Sequence, residues 1–430
     1  MARTVIIGGG IAGLACAHAL QAAGRDWVLL EAGDACGGRV RTDRVDGFRL
    51  DRGFQVYLTA YRAIGEALDE RALGFRVFQS GAQVFDGTRF VHVAHPLRHP
   101  VDAIAGAVAS PATAVGLAPL APLAIDALRS PVPPATPAGE TTEHLLSRLG
   151  VGRRVTDGFL RAFFGGVFLD RSLATDAGQF RFTFGHFVRG AAALPEDGMG
   201  AIPAQLAAGL PADRIRLRCA VSAVRHRSDG VTVHLADGTE HFADAVVIAV
   251  DMTAAHALDP RIPVRPWRPT YTMHWACRAQ DVPNAMRAPV LLLDGTGEGP
   301  VNHAACMSSV APRYAPPGQA LIDLSIVDLP REPESMERLV ARVRAQMDRW
   351  FGRGATDGWR LLRTDRVLRA LPRQHPEDMR SRVGAQLDAR TFVAGDHVTD
   401  GSLDGAWRSG LAAAEAVVGA IRAWRRATRA

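Results

Sequence analysis

The chain of 430 residues contains no lysine, and arginine carries all of its excess positive charge, a formal +6. That excludes Schiff-base chemistry and any lysine general base. Cysteine is scarce. Cys16, Cys36, Cys219, Cys277 and Cys306 are odd in number and widely spread, and none has metal-ligand spacing. Neither a disulfide framework nor a metal site is expected, and a reduced, cytoplasmic setting fits. The arginines are scattered rather than clustered with aromatics, which argues against nucleic acid as a partner. Long membrane-spanning runs are also lacking. Ala103 to Ile125 is uncharged, but it is rich in alanine and broken by Pro111, Pro119 and Pro122. It reads as helix lining an apolar pocket, with peripheral contact to a membrane surface as the second reading. A strand beginning by Thr4 leaves no room for a secretory leader.

What is present begins at once. In "VIIGGGIAGLACAHAL", Val5–Ile7 form a short apolar strand and Gly8, Gly10 and Gly13 fit G-x-G-x-x-G. Gly8 permits the tight turn, Gly10 lets the backbone approach a pyrophosphate, and Gly13 lets the following helix lie on the strand. That helix, from Ile11 and Ala12 to about Ala23, aims its free N–H groups at the phosphates. A second strand, Trp27–Leu30, ends at Glu31 and Ala32. There a carboxylate can accept hydrogen bonds from an adenosine ribose and disfavours a 2′-phosphate. A strand–turn–helix followed by an acidic strand tip predicts a bound dinucleotide, but does not separate a nicotinamide from a flavin.

The rest of the chain makes that choice. "GGRVRT" supplies Gly37 and Gly38 for a loop folding back over the turn, and Arg39 for the far side of the pyrophosphate. A strand with Asp51 and Gly53 near its end follows, where a nicotinamide enzyme would continue into another helix. Near the C-terminus, "TFVAGD" is a buried strand ending at Gly395, with Asp396 placed for sugar-alcohol hydroxyls. Ser402 then caps a helix whose small residues, Gly405, Ala406, Ser409 and Gly410, permit close approach to a flat ring. The positive end of that helix suits the charge of a reduced flavin.

Together, "GGGIAGL", Glu31, "GGRVRT" and "AGD…GAWRSG" resemble the flavin amine oxidase superfamily, which includes protoporphyrinogen oxidases and phytoene-desaturase-like enzymes. "LPEDGMGAIPAQLA" and "VLRALP" are similar to further segments of that group. The resemblance implies non-covalent FAD on Gly8 to Gly13, Glu31, Ala32, Gly38, Arg39, Gly53, Gly395, Asp396 and Ala406. It also implies a strand from Arg214 that places the Val221 backbone against the adenine. The expected class is α/β: a Rossmann-like FAD-binding domain (1–80, 195–265 and 373–430) with an inserted α+β substrate domain (81–194 and 266–372), a mixed sheet backed by helices.

Within the inserted pieces, Asp86-Gly87 predicts a hairpin, as Asp237-Gly238 does elsewhere. Helix is expected from about Val101 to Leu149. Strands are expected at "YTMHWACR", "PVLLLD", "HAACMSS" and "ALIDLSIV", followed by the amphipathic "SMERLVARVRAQMDRWF". His92, His95 and His99 read as strand and turn residues rather than ligands. Gln55, Tyr57 and Trp407 are the candidates for substrate contact. No acid–base residue is required for hydride transfer to a flavin, and none is assigned. Three chemistries stand open: oxidation of C–C or C–N bonds in a small apolar, conjugated molecule; amine oxidation; and a redox-neutral isomerisation or purely structural flavin. The amine reading is weakened by the missing lysine, the four tyrosines and the absence of a cysteine in "AWRSG". The electron acceptor (oxygen, a quinone or another protein) is left open, and the arginine-rich C-terminus reads as a solvated helix end.

Overall fold

A computed structural model describes residues 3–94, 115–132, 135–328 and 334–427. His95, His99 and most of the Ala103–Ile125 run lie outside the described residues, as do the side chains of the arginine-rich end. Five strands form an all-parallel sheet in the order Ile215–Arg216, Asp26–Leu30, Arg3–Ile7, Ala245–Ile248, Thr391–Val393. Its central strands are continuous apolar runs because both of their faces are covered. Ile6, Leu29, Val247 and Phe392 pack against the helices Ile11–Ala22 and Leu403–Ala427. Val5, Ile7, Val28 and Val246 pack against a three-stranded antiparallel ribbon of Val221–His226, Val231–Leu235 and Glu240–Ala243.

The single strand expected from Arg214 is two. Ile215–Arg216 joins the edge of the parallel sheet, Arg218 takes φ +57°, and Val221–His226 leaves for the ribbon. The reversal is held by Arg218 N–H to the Gly33 carbonyl and Cys219 N–H to the Glu31 carbonyl, both 2.8 Å. The two predicted turns are present. Phe85 pairs with Phe90 around Asp86-Gly87, and Val233 and His234 pair with His241 and Glu240 around Asp237-Gly238.

A second, seven-stranded sheet runs Arg360–Pro372, Trp267–Arg278, Gln319–Ile326, Val301–Cys306, Leu291–Asp294, Gly81–Phe85, Phe90–Ala94. It is antiparallel except where Leu291–Asp294 meets Gly81–Phe85. Side-chain alternation divides its labour. Met273, Trp275, Ile322 and Leu324 face the amphipathic helix Met336–Phe351 through Leu339, Val343, Met347 and Trp350. Ala276, Ala305 and Leu321 face the parallel-sheet lobe. "HAACMSS" is strand only to Cys306; Met307–Val310 is a helical turn. Helices Ala121–Arg129 and Thr142–Arg148 fall in the predicted helical region. The helical layer continues past Leu149 through Arg161–Phe168 and Ala177–Arg189, around its own phenylalanine-rich core. Ala192–Leu194, placed above in the inserted piece, pairs with Tyr57–Leu58 and Arg76–Val77 of the N-terminal piece. No helix among the described residues is long and apolar enough to cross a membrane.

A chain of charges ties the seven-stranded sheet to the hairpin of Thr42–Val45 and Phe48–Asp51. His274, fully buried, bonds Asp323 through Nδ1 (2.8 Å) and Asp365 through Nε2 (3.2 Å). Arg363 lies 2.6 Å from Asp365 and 2.8 Å from Asp43, and Asp43 also binds Arg52 at 3.0 Å. Burial alone would lower the His274 pKa, but the two flanking carboxylates raise it to about 9. An imidazolium held above its unfolded value near 6.5 stabilises the fold fully below that pH, and the contribution is lost as pH rises through 9. We predict that stability falls by about 3 kcal/mol across that window. Chemical denaturation at its two ends should show the drop, and His274→Gln should flatten it.

Candidate active site: a cavity walled by both ends of the chain

A cavity of about 1130 Å³ runs from Gly8, Gly10, Ile11, Ala12, Glu31 and Ala32 past Gly38, Arg39, Gly53 and Gln55 to Gly395, Asp396 and Ala406. It then opens into a chamber between the seven-stranded sheet and the helical layer. Its size exceeds the ~300–1,000 Å³ of ordinary small-molecule pockets, enough for an extended cofactor and a substrate together.

The end of the cavity beside the first helix is built by glycines. Gly8 has φ +105°, and a Cβ there would sit 2.7 Å from the Ala249 carbonyl oxygen. The N-cap of Ile11–Ala22 is Gly10, with no side-chain cap, so the first N–H groups of the helix open toward the cavity. A Cβ on Gly10 would meet nothing within 4 Å, whereas one on Gly13 would lie 1.9 Å from the Gly8 oxygen. Gly13 is therefore a packing glycine and does not itself line the cavity, while Gly10 borders open space. The loop through Gly37 and Gly38 folds back over this turn, tied by Gly37 N–H to the Gly9 carbonyl at 2.8 Å. Glu31 accepts from Gly9 N–H (2.6 Å) and Gly33 N–H (2.7 Å), which fixes its carboxylate at the strand tip.

Arg39 and Asp396 meet across the cavity from opposite ends of the sequence, 2.7 Å apart, and Arg39 also donates to the Ala370 carbonyl. Burial pushes the Asp396 carboxyl up, but the Arg39 guanidinium prevails and holds it below the usual carboxylate range. Ser402 caps the last helix by accepting from Gly405 N–H at 2.9 Å. Of the small residues of that helix, Ala406 faces the cavity, whereas Ser409 and Gly410 serve packing. A Cβ on Gly410 would lie 2.1 Å from the Ala12 oxygen, so Gly410 serves contact with the first helix. Ser409 accepts from Gly395 N–H, and only Leu403 and Ala406 of this helix face the cavity.

Three candidate contacts fall elsewhere. Tyr57 is fully buried, stacked 4.6 Å from Phe75 with its hydroxyl toward Glu70. Strand alternation turns Val56 and Leu58 to the cavity and Tyr57 away. Trp407, 3% exposed, points back toward His18 and the first helix. Val221 is not part of the cavity lining, because the chain reverses at Arg218 before reaching it. Gln55 does line the cavity, with its amide donating to the Arg39 and Arg52 carbonyls.

The chamber contains residues that the sequence reading did not single out: Phe54, Tyr61, Thr270, His303 and Ser325, and a wall of Phe159, Phe163, Phe164, Phe182, Phe184 and Phe187. Phe159 and Leu160 reach it from a π-helical turn, Thr156–Leu160. Helix Ala121–Arg129 borders it with Ile125 and Leu128, which stay 47% and 54% exposed. Four carboxylates line the cavity among the described residues, and each is occupied. Glu31 holds two backbone N–H groups, Asp396 holds Arg39, Asp400 holds Arg408 and Ser402, and Asp251 caps the N-terminus of Met252–Leu258.

This architecture recurs among known structures. An oxidoreductase from Methanosarcina mazei superposes with a TM-score of 0.74 at 17% identity, over 96% of this chain and 100% of that one. Putrescine oxidase bound to putrescine superposes at 0.70 and 18% identity, over 97% and 99%. Curated relatives match over short segments. Carotenoid 3,4-desaturase of Haloarcula japonica is 49% identical over 53 residues, 12% of this chain and 11% of that protein. Coproporphyrinogen III oxidase of Propionibacterium freudenreichii is 36% identical over 77 residues, 18% and 15%. The matched segments span a fifth or less of such relatives' length. The profile of flavin-containing amine oxidoreductases, by contrast, matches residues 11–418, and the chain belongs to that family.

The glycine cradle, the uncapped helix terminus and the open space at Gly10 fit a flavin dinucleotide. Gly10→Val should leave the flavin-free protein as stable as the wild type but abolish flavin retention. Gly13→Val should instead disrupt folding, since its side chain has nowhere to go. Flavin-to-protein ratio and melting temperature of the flavin-free forms distinguish the two.

Proposed function

We propose that this chain holds FAD non-covalently across a Rossmann-like lobe and oxidises a C–C or C–N bond of an apolar, conjugated small molecule, carotenoid-like or porphyrinogen-like in character. The lobe comprises 1–80, 195–265 and 373–430, and the substrate lobe 81–194 and 266–372. The Gly8–Gly13 turn would take the pyrophosphate, Glu31 the adenosine ribose, and Asp396 the ribityl chain. A flavin bound there supplies the two-electron acceptor. The protein's own contribution is orientation and exclusion of water: a phenylalanine wall shapes the chamber, and among the described residues no charged side chain there lacks a partner.

The observation that carries the reading is the pairing of all four carboxylates that line the cavity among the described residues. A cationic amine needs an available anion or an aromatic cage of high electron density; among the described residues this chamber offers phenylalanines, a single tyrosine (Tyr61) and occupied acids. The likeness to putrescine oxidase supports the fold alone. Exposed Ile125 and Leu128 beside Arg129 suit entry of an apolar substrate from a membrane surface.

The test is anaerobic mixing of the purified yellow protein with a polyene, a porphyrinogen and an amine panel, followed by flavin absorbance. The expected outcome is bleaching by the polyene or porphyrinogen and none by the amines. Bleaching by amines alone would establish the amine reading, and conversion without bleaching would establish isomerisation. Readmitting oxygen or a quinone to the bleached protein then identifies the electron acceptor by the rate of colour return.

A further inference from the structure

One stretch of the seven-stranded sheet interrupts the apolar lining. His303 and Ser325 are direct partners across neighbouring strands, and both face the cavity. Thr272, next to Ser325 on the other side, is already used: its hydroxyl accepts from Phe54 N–H at 3.0 Å. The Ser325 hydroxyl makes no hydrogen bond to any described residue.

The His303 ring is held in one orientation and one tautomer. Asn302 Nδ2 donates to the Ala162 carbonyl at 2.9 Å and lies 3.0 Å from His303 Nδ1. Turning the amide over would set Oδ1 against that carbonyl oxygen, so Nδ1 must accept and the ring proton resides on Nε2. Helix Arg161–Phe168 closes the Nδ1 side, where a Cβ on Gly166 would come within 2.8 Å of Nδ1 and 3.1 Å of Cε1. The Nε2–H edge is thereby turned from the helix toward the cavity. Phe54 meets the ring edge-on at 4.5 Å and fixes its plane. A donor left unmatched in an apolar wall costs free energy unless a ligand meets it.

We infer that His303 Nε2–H and the Ser325 hydroxyl form a subsite for a neutral oxygen acceptor, a carbonyl, hydroxyl or ether oxygen, on an otherwise apolar substrate. This deepens the proposed function and rests on the chamber being the substrate site. Burial pushes the His303 pKa down to about 3, so the ring is a neutral donor at working pH and offers a carboxylate no charge. A pure hydrocarbon would leave both groups unmet. The subsite therefore selects an oxygen-bearing apolar compound and fixes which end of it lies beside Phe54.

The test uses the flavin-loaded protein, ¹⁵N-labelled at histidine, with two probes: β-ionone, a conjugated apolar ketone, and the hydrocarbon of the same skeleton lacking the carbonyl oxygen. The His303 signal is identified in the wild type by its nuclear Overhauser contact with the Phe54 ring, and checked by its loss in His303→Phe. The expected result is movement of the His303 Nε2–H resonance with the ketone only. Flavin-absorbance titration should show ketone binding weakened about tenfold in His303→Phe and severalfold in Ser325→Ala, with hydrocarbon binding unchanged. Equal losses for both probes, or a stationary His303 resonance in the wild type, would overturn the inference even if the His303 variant failed to fold. A colourless protein would refute the flavin reading, whereas a yellow protein that treats the probes alike would refute this subsite alone.

Discussion

The structure depends on one close contact, the approach of the helix after the glycine turn to the helix near the C-terminus. Gly410 lies against the Ala12 carbonyl and Ala15, and Gly13 lies against Gly8. No side chain fits at either place, and both contacts fall at the cavity's edge. Because the first helix is pinned on one side by the strand it follows and on the other by Leu403–Ala427, its uncapped N-terminus can open only toward the cavity. The same contact brings Leu403 and Ala406 to the opposite wall. Backbone proximity at Gly410 thus joins sequence ends some four hundred residues apart into one cavity wall.

Electrostatics follow from that enclosure. Arg39 and Asp396 come from the two ends and meet inside, so neither charge is buried alone. Farther on, Asp400 is matched by Arg408, and the buried His274 is held between two aspartates. The interior is therefore full of charge yet presents almost none to a substrate. Burial keeps His303 uncharged, in contrast to His274 on the same sheet, whose two flanking carboxylates outweigh burial and raise its pKa. Two histidines of one type become an ion-pair member and a neutral donor through their neighbours alone.

Much of the cofactor half was legible because its signals are local. The Gly8–Gly13 turn, the acidic tip at Glu31, the Asp86-Gly87 and Asp237-Gly238 hairpins and the Ser402 cap each specify backbone geometry within a few residues. Errors came where tertiary context overrode local pattern. A positive φ at Arg218 split one expected strand into two sheets and carried Val221 away from the cavity lining. Strand alternation was readable in principle at Tyr57, but its pairing partner, Ala192–Leu194, lies far along the chain, and that pairing decides which face is inside.

The sequence by itself determined that a strand–glycine turn–helix would expose N–H groups beside a fixed carboxylate, because those conformations are set by residues in contact along the chain. It also excluded lysine chemistry outright. Only the tertiary structure decided the chamber. His303, Ser325, Tyr61 and the phenylalanines come from separate strands and helices, and nothing in their spacing reveals that they share a wall. Which carboxylates remain available to a ligand was likewise undecided until folding matched each to an arginine, a hydroxyl or a backbone N–H, since pairing depends on distance in space rather than order in the chain.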